Sequence, residues 1–461
     1  MSDDARISRR DFLGAMAAAG ALAAAPRFGR AANPPNILFI LADDLGYGDL
    51  SAFGRPDYKT PNLDRFARDG IRLTSAYTAG AVCTPTRCAL ITGRYPQRLP
   101  IGLVEPLGYT DTSVGLPPGH PTVASLIKAA GYDTALIGKW HLGYLPEHSP
   151  TTHGFDEFYG ILSGGVDYFT HQDPNGKLDL HEGMVTVEQA GYMTDLLTDR
   201  AVGYLKKKRD RPFYLALHYT APHWPWEGPS DKPVSDSIAA RMHTFAGGGS
   251  HATYASMMQR LDSGVARVLR ALRDSGRQGD TLVVFTSDNG GERWSYNWPL
   301  RERKGTLREG GIRVPAAVQW PGVIPPGRGS EVPIITMDWT ATLLAAAGAS
   351  PDPAYPLDGI DLMPILRGGT VTVNRALFWR TATQDAVRRG RWKLWRAGDQ
   401  EALHEIAIDP SENVNLATTR ADLVSGLRRE FAEWNAAMLP RPTARPAGAG
   451  PPADGSSHPA R

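Results

Sequence analysis

Cysteine is nearly absent: the 461 residues contain two. That excludes a disulfide-rich scaffold and a four-cysteine zinc site. An excess of one charge is also missing, since 50 Lys and Arg face 48 Asp and Glu for a net charge of +2. A strong global attraction to nucleic acid is therefore excluded. No internal repeat is visible. The apolar run over residues 12–25 is too short for a membrane span, which needs about 20 residues. What is present is enough for a large core. Apolar residues make up 42% and charged residues 21%, a little below globular averages of about 45–50% and 25%. The 49 Gly and 37 Pro make the chain loop-rich, yet below the roughly 25–30% that marks low complexity. The length allows roughly three domains at most, and a large α/β domain with a smaller companion accounts for it.

The N-terminus reads as an address. Ser8-Arg9-Arg10-Asp11-Phe12-Leu13 precedes a stretch of almost pure Ala and Gly up to Ala25. This suits the apolar region of an export signal, with small-residue cleavage points around 23–25 or 31–32. The paired arginines before Phe-Leu resemble a bacterial twin-arginine signal. An amphipathic helix of the mature fold is the competing reading, and no polar face interrupts the run to support it. Residues 1–32 are therefore set aside as a twin-arginine-type signal. That implies the twin-arginine export machinery as a partner and the periplasm or cell exterior as destination.

Four short runs lack polar alternation: residues 36–41 (NILFIL), 132–137 (YDTALI), 212–218 (PFYLALH) and 281–286 (TLVVFT). Each reads as a strand buried on both faces. Helical patterns over 122–130, 194–208 and 254–273 lie between them, the last closed by Ser275-Gly276. Alternating strands and helices predict a large, mostly parallel central sheet flanked by helices. From about Asn374 the texture changes to short alternating segments, 377–381, 385–389 and 391–396, with Gly390 at a hairpin turn. A helix over 421–437 comes next. The expected organisation is an α/β domain over 33–373, a small antiparallel sheet with a helix over 374–439, and a Pro/Gly-rich disordered tail over 440–461.

The informative pattern lies in the residues just after each strand. The four runs lead into Asp43-Asp44, Gly138-Lys139-Trp140-His141, Ala221-Pro222-His223 and Asp288-Asn289-Gly290. Open α/β sheets bind ligands beyond the carboxyl ends of their strands, so these residues converge on one candidate crevice. Singly, each has a plain reading. Asp-Asp serves as a turn or helix cap, Asp-Asn-Gly as a turn, His223 as a polar loop residue, and Lys304 as part of a solvated face. Turns do not require Lys and His, however, so the set asks for more. Asp43, Asp44, Asp288 and Asn289 offer only oxygen, which suits a hard cation rather than zinc. Cys83 stands in Cys83-Thr84-Pro85-Thr86-Arg87, with Thr92-Gly93-Arg94 shortly after it. By itself it fits a buried structural thiol or a disulfide with Cys88, and Cys88 reads as a small core residue.

The Cys-x-Pro-x-Arg segment with Thr-Gly-Arg resembles the signature of type I, formylglycine-dependent sulfatases, arylsulfatases among them. Other blocks are similar to the same family and occur in its order: Ala42 to Asp49, Thr60 to Asp64, Gly138 to Gly143, Ala221 to His223, Ser287 to Gly291 and Lys304 to Gly311. The resemblance runs from about Asn36 to Leu416 and implies the alkaline-phosphatase-like α/β fold. It implies that Cys83 is oxidised to Cα-formylglycine by a maturation enzyme. The aldehyde hydrate carries two hydroxyls on one carbon; one attacks sulfur, and loss of a proton from the other expels sulfate. It further implies one Ca2+ ion held by Asp43, Asp44, Asp288, Asn289 and residue 83. Arg87 would hold the hydrate, and Lys139, His223 and Lys304 would meet sulfate oxygens. His141 would accept the hydrate proton, and His223 with Lys304 would protonate the leaving alcohol.

The expected activity is hydrolysis of a sulfate monoester on a small molecule or glycan. Two rivals stand beside it. One is a formylglycine-dependent phosphodiesterase or phosphonate monoester hydrolase. The other is a non-catalytic sulfoglycan-binding protein. Trp224, Trp226, Trp294 and Trp298 either stack on a sugar or aryl ring or pack their loops. Arg293, Arg301 and Arg303 either bind a polyanionic glycan or serve solubility. Trp392, Trp395 and Arg396 either close the pocket or pack the small sheet.

Overall fold

Strands form at the four apolar runs because nearly every residue there can be buried. The computed structural model describes residues 34–110, 112–238, 248–369 and 373–442; the four runs are its β1 (Asn36–Ala42), β3 (Asp133–Lys139), β7 (Phe213–His218) and β8 (Thr281–Ser287), joined by β2 (Ile71–Tyr77), β4 (Glu157–Ile161), β5 (His181–Glu182), β6 (Val185–Thr186), β9 (Arg313–Gln319), β10 (Arg328–Ser330) and β11 (Ile334–Ile335). The signal expected over 1–32 and most of the tail expected over 440–461 lie outside the described residues. The strands make one sheet in the order β10-β2-β9-β8-β1-β7-β3-β4-β5-β6, with β11 beside β2. Its centre, β8-β1-β7-β3-β4, is parallel. The flanks contain antiparallel pairs: β9 with β8 and β2, and β5 with β4 and β6. The sheet is thus mixed, parallel where the sequence pattern was strongest.

The two-residue period of a strand sorts its side chains to opposite faces. Ile37, Phe39 and Leu41 enter one core cluster, with Tyr214, Ala216, Leu282 and Val284. Leu38, Ile40 and Ala42 enter another, with Phe213, Leu215, Leu217, Val283 and Phe285. Both faces are covered, which is why these runs lack polar alternation. The Cys83–Thr92 and Thr336–Ala347 helices pack the first face. The long His251–Asp274 helix packs the second, capped by Ser250 and ended at Ser275-Gly276 as the sequence indicated.

The second sheet is antiparallel, in the order β12 (Ala376–Arg380), β13 (Gln384–Arg389), β14 (Trp392–Ala397) and β15 (Gln400–Glu405). Gly390 turns β13 into β14 at φ 56°. The Ala421–Ala436 helix covers one face through Val424, Leu427 and Phe431, against Val387, Leu394 and Leu403. The other face presents Leu377, Trp379, Ala386 and Trp395 to Ala79, Ala81, Leu307 and Ile312. The small sheet therefore buttresses two active-site loops, the one before Cys83 and the one after Lys304. Among the described residues no helix is long and apolar enough to cross a membrane.

Candidate active site

The register of the central strands places the site. Ala42 pairs with Ser287, and Leu41 with His218, so Asp43-Asp44 and Asp288-Asn289 emerge side by side. Lys139 ends β3 next door. Cys83 is the first residue of the Cys83–Thr92 helix, after an extended Val82. Its Sγ lies 3.5 Å from Asp43 Oδ1 and 4.0 Å from Asp44 Oδ1. Ligand atoms of Asp43, Asp44, Cys83 and His223 all fall within 4.8 Å of one another.

Three cations face three carboxylates. Arg87 donates from Nε to Asp288 Oδ2 at 3.0 Å and from Nη1 to the Lys139 carbonyl at 2.8 Å, and its Nη2 stands 3.7 Å from Asp43. Lys139 Nζ donates to Asp43 Oδ2 at 2.6 Å. Lys304 Nζ lies 2.7 Å from both oxygens of Asp44. Lys304 is 7% exposed, which removes the solvated-face reading. His223 is buried, with Nε2 3.7 Å from Asp44 Oδ2 and Nδ1 donating to the Trp224 carbonyl at 2.5 Å. Asn289 donates to Asp44 Oδ1 at 2.7 Å, while its own Oδ1 is buried without a partner. His141 donates from Nε2 to the Leu107 carbonyl at 3.0 Å, and its Nδ1 is likewise buried and unpartnered.

Burial sets the titration of these groups, and neighbours modify it. Burial and Asp288 push the Asp43 carboxyl up to about 8, against the pull of Lys139 and Arg87. Burial would raise Asp44 too, but Lys304 and His223 bring it below its ordinary value. Burial pushes the Cys83 thiol up to about 12, so the unmodified thiol is a poor nucleophile at neutral pH. Burial holds both His141 and His223 neutral, His223 down to about 3. Two of these residues have backbones in the left-handed region, Asp44 at φ 64° and His141 at φ 57°. Non-glycine residues there are uncommon, and such strain concentrates at functional sites.

The structure therefore brings all ten sequence-derived candidates together: Asp43, Asp44, Cys83, Arg87, Lys139, His141, His223, Asp288, Asn289 and Lys304. Asp288 is committed to Arg87 through one oxygen and accepts from the Asp44 backbone N–H at 3.2 Å through the other. The four oxygen-bearing side chains, Asn289 with its Oδ1 unpartnered among them, fit a hard cation. Both cysteines are free thiols, and Cys88 is a core residue. Sequence reasoning passed over Gly164 and Gly165. A Cβ there would meet His141 Cε1 at 2.8 Å and His223 at 3.0 Å, so these glycines let the chain lie flat against both imidazoles. It also passed over Tyr109, whose phenol is pushed well above its ordinary value by burial and by Tyr144, with Cys83 among the neighbouring groups. No local pattern announces either.

The outer candidates divide. Trp226 is core, whereas Trp298 is 63% exposed and stacked on Tyr296. Trp294 donates to the Gly248 carbonyl with Arg293 over its ring. Arg301 donates to the Glu412 carbonyl. Trp395 is buried beneath the Arg308 guanidinium, Trp392 packs toward the Ala421–Ala436 helix, and Arg396 pairs with Asp385. These last three pack the small sheet.

A family model described as Sulfatase matches residues 35–349. N-acetylgalactosamine-6-sulfatase of Canis lupus familiaris is 33% identical over 417 residues, spanning 84% of this chain and 77% of that protein. Arylsulfatase A of Homo sapiens is 35% identical over 450 residues, 84% of each chain. Among solved structures, Ps i-CgsB in complex with k-i-k-neocarrahexaose superposes with a TM-score of 0.80 at 32% identity, covering 90% of this chain and 94% of that one.

Proposed function

The chain belongs to the sulfatase family, and from that premise we propose that it cleaves a sulfate monoester to an alcohol and inorganic sulfate, using Cys83 oxidised to Cα-formylglycine and one Ca2+ ion. The observation that carries this reading is the convergence of three carboxylates and three side-chain cations on a buried Cys83. Asp43, Asp44, Asp288, Asn289 and residue 83 would hold the ion. Bound there it supplies Lewis-acid polarisation of a sulfate oxygen. The hydrated aldehyde would supply two hydroxyls on one carbon, one of them the nucleophile, an arrangement that no encoded side chain carries.

The remaining residues do the positioning and the proton transfers. Arg87 spans Asp288 and the β3 terminus and so holds the nucleophile's helix against the strand ends. Lys139, on Asp43, and Lys304, on Asp44, present ammonium groups to the site, where fixed cations stabilise charge that develops on sulfate oxygens. His141 has its Nε2 proton tied to Leu107, which leaves Nδ1 as the atom able to accept a proton. His223, its single proton on Nδ1 and tied to Trp224, turns an unprotonated Nε2 toward the site, where it can accept a hydrogen bond, so the proton for the leaving oxygen falls to the Lys304 ammonium rather than to His223.

The substrate we favour is a sulfated glycan. The names of two relatives, one an N-acetylgalactosamine-6-sulfatase and one holding a neocarrahexaose, support it. So does the exposed Trp298, which lies between Asn289 and Lys304 in the sequence and, stacked on Tyr296, offers an aromatic surface on which a sugar ring can stack. We further propose export through a twin-arginine-type signal over 1–32, and maturation of Cys83 by a formylglycine-generating enzyme. Mass spectrometry of the Cys83 peptide from the native host, with kcat/KM for matched aryl sulfates and phosphates, tests the reading. Formylglycine with preference for sulfate is expected. An unmodified thiol throughout, or preference for phosphate, overturns it; a panel of sulfated glycans then identifies the alcohol.

A further inference from the structure

Lys139 is fixed by β3 and Arg87 by a helix, but Lys304 stands on a turn. Its position must come from tertiary contacts. The backbone of its segment is tied to the site at three points. Lys304 N–H donates to the Gly291 carbonyl at 3.1 Å, Gly305 N–H to the Ala81 carbonyl at 2.9 Å, and Gly290 N–H to the Gly311 carbonyl at 3.0 Å. One loop thus braces the Asn289 turn, the approach to Cys83 and Lys304 itself.

That loop is gripped from the small sheet by charged side chains that are fully buried. Lys393 Nζ, on β14, lies 2.9 Å from Glu309 Oε1 and 3.2 Å from Glu412 Oε1, and all three side chains are 0% exposed. Glu412 Oε2 accepts the Glu309 backbone N–H at 2.7 Å. Glu309 Oε2 accepts the Tyr77 hydroxyl at 2.5 Å, and Tyr77 ends the strand that leads to Cys83. Arg388 donates to the same hydroxyl, and Arg313 stands 3.4 Å from Glu309. Around this centre the Gln384 side chain accepts the Leu307 N–H at 2.9 Å, and the Ser411 hydroxyl donates to the Pro299 carbonyl at 2.5 Å. Packed apolar residues would stabilise such an interface as well or better. Directional charges add register.

We infer that the buried Glu309–Lys393–Glu412 cluster is a positioning device by which the C-terminal sheet clamps residues 299–313 and sets where the Lys304 ammonium stands in the active site. The inference rests on the proposed role of Lys304 at the sulfate ester. These are positioning residues: they act through Lys304, whose turn the bonds to Ala81 and Gly291 hold in place.

The test uses the matured, Ca2+-loaded full chain. K393M/E412Q removes one charge of each sign and leaves Glu309 with Tyr77 and Arg313. It is expected to lower kcat/KM for an aryl sulfate at least tenfold, since misplacing a reacting group by about 1 Å can cost 100-fold. In a K304A background the same pair is expected to change kcat/KM less than twofold, because the group it positions is gone. E309Q keeps the side chain's shape and is the second variant, expected to show a smaller loss of about threefold with the same dependence on Lys304. Hydrogen exchange of the Lys304 and Gly305 amides is expected to quicken in both variants. Equal losses with and without Lys304 would overturn the inference, as would full activity. If the wild-type protein, carrying formylglycine, hydrolyses no sulfate ester, the functional reading fails, and exchange alone decides the clamp: unchanged Lys304 and Gly305 amides refute it.

Discussion

Replacing Gly138 by Ala tests how tightly the strand ends set the site. Gly138 lies in β3 between Ile137 and Lys139, paired with His218 on one side and Gly160 on the other. Its φ is 117°, and a Cβ built there stands 1.7 Å from the His218 carbonyl oxygen, where ordinary contact begins at 3.4 Å. The obstacle is the His218 backbone, so no side chain can swing away. Overpacking of this kind costs about 1–3 kcal/mol, and a residue held in that φ region costs about 1–3 kcal/mol more. The expected destabilisation is therefore about 2–6 kcal/mol. The shift falls on Lys139, whose Nζ holds Asp43 at 2.6 Å. A displacement near 1 Å at that distance predicts a loss of about 100-fold in kcat/KM. Urea unfolding monitored by circular dichroism, with aryl sulfate kinetics on the folded fraction, measures both. Gly203→Ala is the control. That residue lies in the Met193–Lys206 helix with nothing within 4 Å of its Cβ, so the change should be neutral or stabilising by about 1 kcal/mol. A G138A protein with the wild-type urea midpoint and wild-type kcat/KM would refute the reasoning.

Further outcomes rest on the same geometry. Burial, with Arg308 and Lys393 nearby, holds the His404 imidazole down at about 4 in the folded protein, against an ordinary 6.5. The unfolded chain therefore takes up that proton first as pH falls from 6.5 toward 4. Stability is lost over that window by up to about 3 kcal/mol, and H404Q should flatten the slope of urea midpoint against pH; parallel slopes would contradict it. Chelation of Ca2+ should abolish turnover and leave far-ultraviolet circular dichroism unchanged, with Ca2+ restoring activity better than Mg2+; full activity in chelator would count against the metal assignment. Cys83→Ala should lose all turnover while its free energy of unfolding changes by no more than about 2 kcal/mol, and retained turnover would remove the nucleophile. Lys304→Ala should hurt poor leaving groups more than good ones, read as a steeper dependence of kcat/KM on the leaving-group pKa; an unchanged slope would place Lys304 away from the leaving oxygen.

Local pattern in the sequence was enough to locate β1, β3, β7 and β8 of the sheet's centre (β4 was passed over), the long His251–Asp274 helix, the hairpin at Gly390 and the motifs after each strand. The physical reason is that burial on both faces, helical periodicity and turn chemistry are written in neighbouring residues. It was also enough to group Asp43, Asp44, Lys139, His141, His223, Asp288 and Asn289, because strands in parallel register bring the loops at their carboxyl ends to one edge; Cys83, Arg87 and Lys304 joined them only through the resemblance to the family's motifs. The Thr336–Ala347 helix was passed over because nearly every side chain is buried and no polar stripe marks its period. The flanking strands β5, β6, β10 and β11 are two or three residues long, too short for a period to show. Only the tertiary structure decided that Lys304, in a run of Arg and Glu, is buried on Asp44, that His141 leaves Nδ1 unpaired, and that Lys393 meets Glu309 and Glu412. Those facts depend on which distant segments displace water from a charge, and no window of neighbouring residues contains them.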